Sequence, residues 1–296
     1  MAASTSPFRN AALLLLLPAV LLAVQGIYLV SRVGWARSAV EIVPPDAVAL
    51  APRSFAYRLP GEYLRNGKPV DAPLQDTRID PDFVAMAHPV SVADYALCVA
   101  DGACDKADGI AKAANLPVTG VSFEDAEAYA QWLTKTTGQA WRLPTDAEWA
   151  FFAGSRFTDD ALGLDDDGAN PADRWLAAYQ REAELSGEGP MPPQPIGSQG
   201  VNEFGIGDLS GAVWEWTQTC YARVTVDTVG RELTRIDSCG VRIVEGRHRA
   251  AMSGFIRDAR SGGCTSGLPP DNLGFRLVRD TGWQSAFQVW TTRLFS

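Results

Sequence analysis

Apolar and polar positions along this 296-residue chain change rhythm several times. From Ala11 to Val30 the chain is apolar, broken only by Pro18, Gln25 and Gly26. That run is about the length a helix needs to cross a bilayer. From Ser38 to Asp80 the prolines at 44, 45, 52, 60, 69 and 73 forbid long helices, so this stretch reads as a linker followed by the first strands. Three helix starts then share one device, a hydroxyl residue followed three positions later by an acid: Ser91 with Asp94, Ser122 with Asp125, and Thr145 with Glu148.

The first of these helices turns Tyr95, Ala96 and Val99 inward and stops near Gly102. The second runs from Phe123 towards Gly138, with Phe123, Ala126, Ala130 and Leu133 as its apolar stripe. The third is short, Asp146 to Ala153, and ends at Gly154. Between the last two, Q-A-W-R-L-P predicts a brief strand stopped by Pro144. Asn202 to Trp216, N-E-F-G-I-G-D-L-S-G-A-V-W-E-W, reads as a glycine-rich turn feeding a core strand. In an extended segment Trp214 and Trp216 share one face and Glu215 takes the other. At the end of the chain Trp283, Phe287, Trp290 and Leu294 recur at the spacing of one helix face. Such a face could dock on the parent domain, on a partner or at a membrane interface.

Charge changes the picture of the N-terminus. Arg9 precedes the apolar run and Arg32 and Arg37 follow it, with no convincing small-residue cleavage site at its end. The run is either an uncleaved signal anchor or a signal peptide, and the anchor is the favoured reading. All 35 acidic residues lie after position 37, with all but three of the 26 basic ones. The remainder of the chain is therefore acidic, which argues against a nucleic-acid surface.

Cysteines decide the compartment. Cys98 and Cys104 bracket a short turn, and Cys220 and Cys239 flank a polar, hairpin-like excursion, so both pairs are expected to be disulfides. Cys264 is left over; five free or buried thiols is the competing reading. Two disulfides imply export to an oxidising compartment, here the periplasmic face of the inner membrane, against the weak charge bias around the apolar run. With no C-x-x-C and only His88 and His248, a zinc site is poorly supported.

Four blocks carry a resemblance: P-V-T-G-V-S-F-E-D-A-E-A-Y-A-Q-W-L, W-R-L-P-T-D-A-E-W, the Asn202–Trp216 stretch, and L-G-F-R-L-V closing at Val278. In that order they resemble the formylglycine-generating enzyme (sulfatase-modifying factor) family over about two thirds of the chain. The resemblance implies an α+β fold with a C-type-lectin-like core and much irregular structure, here with an added N-terminal membrane helix. The signature positions carried over are Arg142, Leu143, Pro144, Glu148, Trp149, Asn202, Gly205, Gly211, Gly274, Phe275 and Arg276. The chain then divides into a short N-terminal segment (1–10), the anchor or signal peptide (11–32), a Pro-rich linker with the first strands (33–80), the family domain (81–280) and an amphipathic tail (281–296).

The resemblance also implies what is missing. The family's oxidases hold copper on a C-x-x-x-x-C pair, because soft thiolates suit Cu(I). Between Arg242 and Arg260 this chain has no cysteine, and Cys264 stands alone beyond that segment. A related route resembles the ergothioneine-pathway sulfoxide synthases, which need three iron-binding histidines; this chain has two histidines in all. The family's structural calcium uses an Asn and the Glu of its G-N-x-W-E-W motif, and here Ala212 stands at the Asn while Glu215 is kept. The acidic run from Asp165 to Asn170 lacks calcium-loop spacing and reads as a solvated loop. No cofactor is expected, with the copper and calcium sites both lost.

A candidate binding groove remains. Arg242, Arg247, His248, Arg249, Arg257 and Arg260 cluster in sequence and, in the family, face the Trp214, Glu215 and Trp216 block. Their role would be to recognise a carboxylate-bearing or acidic partner, with salt bridging to the protein's own acids as the competing reading. The order of anchor, paired outer cysteines and degenerate segment resembles the nitrite-reductase-associated accessory proteins. That implies a tethered, non-catalytic maturation factor whose partners are the membrane and a periplasmic copper nitrite reductase or another acidic protein or peptide. The alternative is an oxygen-dependent protein-modifying oxidoreductase with a divergent metal site.

Overall fold

The computed structural model describes residues 42–109, 112–164, 171–186, 191–209, 211–258 and 272–282. The anchor expected at 11–32, the acidic run 165–170, Arg260, Cys264 and nearly all of the tail lie outside these residues. Among the described residues no helix is long and apolar enough to cross a membrane.

Among the described residues there are three sheets and four α-helices, three of which pack on an aromatic core. The first sheet runs in the order β1 (Ala47–Ala49), β6 (Phe83–Met86), β12 (Val278–Asp280), β7 (Trp141–Arg142), and all its pairings are antiparallel. The second is built on a long hairpin of β8 (Trp214–Val226) and β9 (Glu232–Glu245). β10 (Arg249–Ser253) extends it beyond β9, and β3 (Glu62–Arg65) with β4 (Lys68–Val70) extends it beyond β8. β11 (Leu273–Gly274) pairs in parallel with the start of β8. β2 (Arg53–Arg58) and β5 (Leu74–Ile79) form a separate ribbon. The strands of the Pro-rich stretch are thus woven into the sheets of the later domain, through β1–β6 and β3–β8.

The helices start where local chemistry places them. Ser122 and Thr145 each accept the backbone N–H three residues on, and Asp125 and Glu148 each accept their cap's own N–H. At Ser91 only half of the box forms, because Asp94 accepts the Ser91 hydroxyl instead of its amide. α1 (Val92–Ala100) differs inside as well. Tyr95 and Cys98 are its buried residues, whereas Ala96 is exposed and Val99 half-buried. Tyr95 lies in the ring stack with Tyr129 and meets the edge of Phe275, and that geometry sets which side of α1 faces in. α2 (Phe123–Thr137) buries the predicted stripe together with Tyr129 and Trp132, and it ends on Gly138 in the left-handed region. α3 (Asp146–Ala153) is buried along nearly its whole length, and Trp149, Phe151 and Phe152 pack with Phe83, Ile206 and Val278. α4 (Pro171–Ser186) keeps Trp175, Leu176 and Tyr179 exposed.

Both expected disulfides are present, Cys98–Cys104 and Cys220–Cys239.

Candidate functional site

The Trp214–Trp216 block opens β8 and is buried on both faces. The tryptophans point one way, as the alternation predicts. Trp214 donates its ring N–H to the His248 carbonyl at 3.2 Å, and Trp216 donates to the Val121 carbonyl at 2.8 Å with its ring against Phe123. Glu215 points the other way and is 2% exposed. Its Oε1 and Oε2 receive Arg276 at 2.7 and 2.6 Å, and Oε2 also receives the Trp149 ring N–H at 2.8 Å. The Arg276 guanidinium is itself fully buried and spends its other N–H groups on the carbonyls of Met86, Ala87 and Gly207. A charge so deep in the protein is tolerable only when paired and fully hydrogen-bonded, and this one is.

That geometry tests the calcium reading. Glu215 is neutralised by a bidentate guanidinium, and Ala212 offers only a backbone carbonyl, which accepts the Asn272 side chain at 2.9 Å. This set of residues does not fit the hard, oxygen-rich shell calcium requires. Copper fits no better. Four of the five cysteines are tied in disulfides, so the chain has one thiol left and no pair to hold Cu(I).

The other signature residues serve the same framework. Arg142 makes a bidentate bond to Glu148 at 2.7 and 2.8 Å and reaches Asp280 at 2.9 Å, joining the α3 cap to β12. Burial works against the Arg142 charge, but the two carboxylates outweigh it and raise its pKa. Leu143 is buried, and the Pro144 carbonyl accepts Gln218 N–H at 2.9 Å. Asn202 is a four-way clip: its amide donates to the carbonyls of Phe152 and Ala153, and its oxygen accepts the N–H groups of Phe204 and Ile206. Gly205, at φ +83°, closes that turn. Gly211 and Gly274 are close-approach positions: a Cβ would lie 2.6 Å from the Arg247 backbone N at the first and 2.5 Å from the Val118 carbonyl oxygen at the second. Phe275 fills the centre of the ring stack of α1 and α2.

Among the described residues, the arginines expected to line one groove take different partners. Arg257 is bidentate to Asp125 at 2.6 and 2.7 Å, at the start of α2. Arg242 covers the Phe123 ring and donates to the Gln218 carbonyl and to Cys220 Sγ. Arg247 and His248 flank Trp214, and burial lowers the His248 pKa. Arg249 lies elsewhere again, under α3. The reason is electrostatic: Arg249 and Arg257 have each found carboxylates of the protein itself, on different elements.

Arg249 belongs to a buried cluster that sequence reasoning missed. Its Nη2 and Nε bond Asp146 at 2.6 and 3.3 Å, Nε bonds Glu245 at 3.0 Å, and Nη1 reaches Asp160 at 3.2 Å. Tyr57, from β2, donates its hydroxyl to Asp146. Asp146 and Glu245 are 0% exposed, and Glu245 Oε2 receives no donor from the described residues, while its carboxyl lies within hydrogen-bond reach of Asp146. Burial opposes the Arg249 charge, and Asp146, Glu245 and Asp160 more than offset it. Desolvation first, then the neighbouring Asp146, drives the Glu245 pKa well above the usual carboxyl range. Burial and Asp146 likewise push the Tyr57 phenol up, which keeps it a neutral donor. The one available signal was Asp146, an acid in the first turn of a helix whose other residues are largely apolar.

Fold and signature residues together define a scaffold of formylglycine-generating type. The sulfatase-modifying factor enzyme 1-like domain matches residues 37–281, and the chain belongs to that family. It is 32% identical over 188 residues to the inactive C-alpha-formylglycine-generating enzyme 2 of Mus musculus, covering 59% of this chain and 52% of that protein. It is 28% identical over 178 residues to the formylglycine-generating enzyme of Streptomyces coelicolor, covering 56% and 53%. The chain thus spans about half the length of these curated relatives, which include both inactive and active members. The solved structure of PvdO from Pseudomonas aeruginosa overlaps 80% of this chain and 94% of that one at 22% identity and a TM-score of 0.49.

Proposed function

We propose that this chain is a non-catalytic member of the family that acts as an exported, membrane-tethered accessory or maturation factor. The observation that carries the proposal is the cysteine accounting. Oxidation of a target cysteine by the family's route needs two thiolates on copper, and this chain keeps one cysteine outside its disulfides. Two features support it. Glu215, at the heart of the signature, is engaged as a structural ion pair with Arg276, and Arg249 and Arg257 of the would-be groove pair with the protein's own acids. The disulfides suit an oxidising compartment, and the apolar run at Ala11–Val30 suits a tether. The arrangement of anchor, outer disulfides and degenerate segment leads us to assign a periplasmic copper nitrite reductase, or the machinery that matures it, as the partner.

The test is direct. The purified chain is incubated with Cu(I), its bound copper and iron are measured, and oxygen consumption is followed with a cysteine-containing peptide. The expected result is no stoichiometric metal and no turnover; metal at one equivalent with turnover would refute the non-catalytic reading and favour an oxygen-dependent enzyme with a different metal site. For the partner, affinity capture from periplasm of a denitrifying cell should recover nitrite reductase, and repeated failure to do so removes that assignment.

A further inference from the structure

The two disulfides of this chain sit in opposite environments. Cys98, on the buried side of α1, is 0% exposed and Cys104, just beyond the end of that helix, is 8% exposed. Cys220 is half-buried and Cys239 is exposed, on the β8–β9 hairpin. The hairpin is irregular just there. Cys220 is in register with Arg242 and Tyr221 with Ser238, so Cys239, Gly240 and Val241 bulge out of the ladder with β8. Bulges tend to mark places where a strand re-aims a side chain.

The decisive neighbour is Arg242. Its Nη1 lies 3.2 Å from Cys220 Sγ and 2.6 Å from the Gln218 carbonyl, and its guanidinium is fixed over the Phe123 ring at 4.1 Å. Glu127 of α2 also feels this cation, which helps to offset the effect of burial on its carboxyl. A permanently charged guanidinium against one sulfur makes that sulfur the better leaving group, because the thiolate it becomes is stabilised where it forms. The other sulfur belongs to the exposed residue. Access and leaving-group stability are therefore divided between the two cysteines as thiol–disulfide exchange requires.

We propose that Cys220–Cys239 is a redox-active disulfide that oxidises an external dithiol, with Cys239 as the attacked sulfur and Cys220 as the leaving one. One thiolate of the dithiol attacks Cys239 Sγ, the S–S bond breaks, and its electron pair leaves on Cys220 Sγ beside Arg242. The second thiol of the reductant, losing its proton to water, displaces Cys239 from the mixed disulfide. The external dithiol departs oxidised by two electrons, and the protein is left with both cysteines reduced. This is separate from the non-catalytic reading above, which rests on the segment between Arg242 and Arg260, where the sequence has no cysteine.

The full-length chain is equilibrated in graded ratios of oxidised to reduced dithiothreitol, quenched by alkylation, and each cysteine pair is scored by mass spectrometry. Cys220–Cys239 should open at a less reducing ratio than Cys98–Cys104. Arg242→Gln should lower its exchange constant by about tenfold, equivalent to about 30 mV, while Arg242→Lys, which keeps the charge, should retain most of the wild-type value. In the reduced protein the pH profile of Cys220 alkylation should lie below that of a free thiol and move up in Arg242→Gln. If both disulfides open together in the wild-type chain, or if Arg242→Gln folds and leaves the Cys220 profile unmoved, the proposal is wrong. The wild-type comparison decides the matter even if the variant does not fold.

Discussion

Replacing Glu245 by Gln should stabilise this protein, and the gain should grow with pH. Glu245 is fully buried, with one oxygen on Arg249, no donor to the other, and the Asp146 carboxylate within hydrogen-bond reach. Asp146 shares the same guanidinium, Tyr57 and Asp160 close the cluster, and Glu215 lies directly across the β8–β9 ladder with its own Arg276. Three buried carboxyls therefore meet two buried guanidiniums, and one proton brings the set to balance. Desolvation and Asp146 place that proton on Glu245 by raising its pKa well above the ordinary 4.5. The sign follows from linkage. A carboxyl whose folded-state pKa is raised binds more protons folded than unfolded once the pH passes 4.5. Its contribution is fully present below that pH and is lost as pH rises towards the folded-state pKa, with a limiting slope of about 1.4 kcal/mol per pH unit. Gln keeps the shape and has no proton to lose. Urea unfolding of both proteins at a series of pH values between about 5 and 7 should show the variant gaining up to roughly 2–3 kcal/mol over that interval. At about 2–4 °C per kcal/mol for a chain of this size, that is a readable shift in Tm. If Glu245 were instead the ionised half of an ion pair with Arg249, the variant would lose about 3–5 kcal/mol near neutral pH. That outcome would refute the reasoning.

Three further predictions follow from the framework. Asn202→Ala removes four hydrogen bonds that tie the turn before β8 to the end of α3, and should cost about 2–4 kcal/mol by thermal melting followed in the near-UV. Gly274→Ala puts a methyl 2.5 Å from the Val118 carbonyl and 2.7 Å from Val213 Cγ1, and should lower stability by about 1–3 kcal/mol in chemical denaturation. Alkylation of the unreduced, denatured chain should label one cysteine and alkylation after reduction all five, as counted by intact mass.

Much of the fold was legible because its signals are local. A cap joins residues three apart, so Ser122–Asp125 and Thr145–Glu148 could be read along the chain and recur in space. The short separations of the cysteines, 6 and 19 residues, made their pairing legible in the same way. The alternation of Trp214, Glu215 and Trp216 depends only on strand geometry, and it holds. The inward face of α1 was less legible, because which of its residues face in depends on the Tyr129–Phe275 stack that Tyr95 meets.

The candidate site was legible only as a list of residue types. Six basic residues close in sequence suggested one groove, but a guanidinium is satisfied by whichever carboxylate the fold brings near. Arg249 finds Asp146 from 103 residues away, Arg257 finds Asp125 from 132, and Arg276 finds Glu215 from 61. By itself the sequence determined the family, the helix starts and the disulfide framework, because each follows from residue identity at short or fixed spacing. Only the tertiary structure decided that the signature glutamate is an internal counter-ion, that Arg249 and Arg257 pair with acids on different helices, and that a surplus carboxyl is buried at Glu245. Those depend on which distant segments share a volume from which water is excluded, where an unpaired charge is far more costly than it is at the surface.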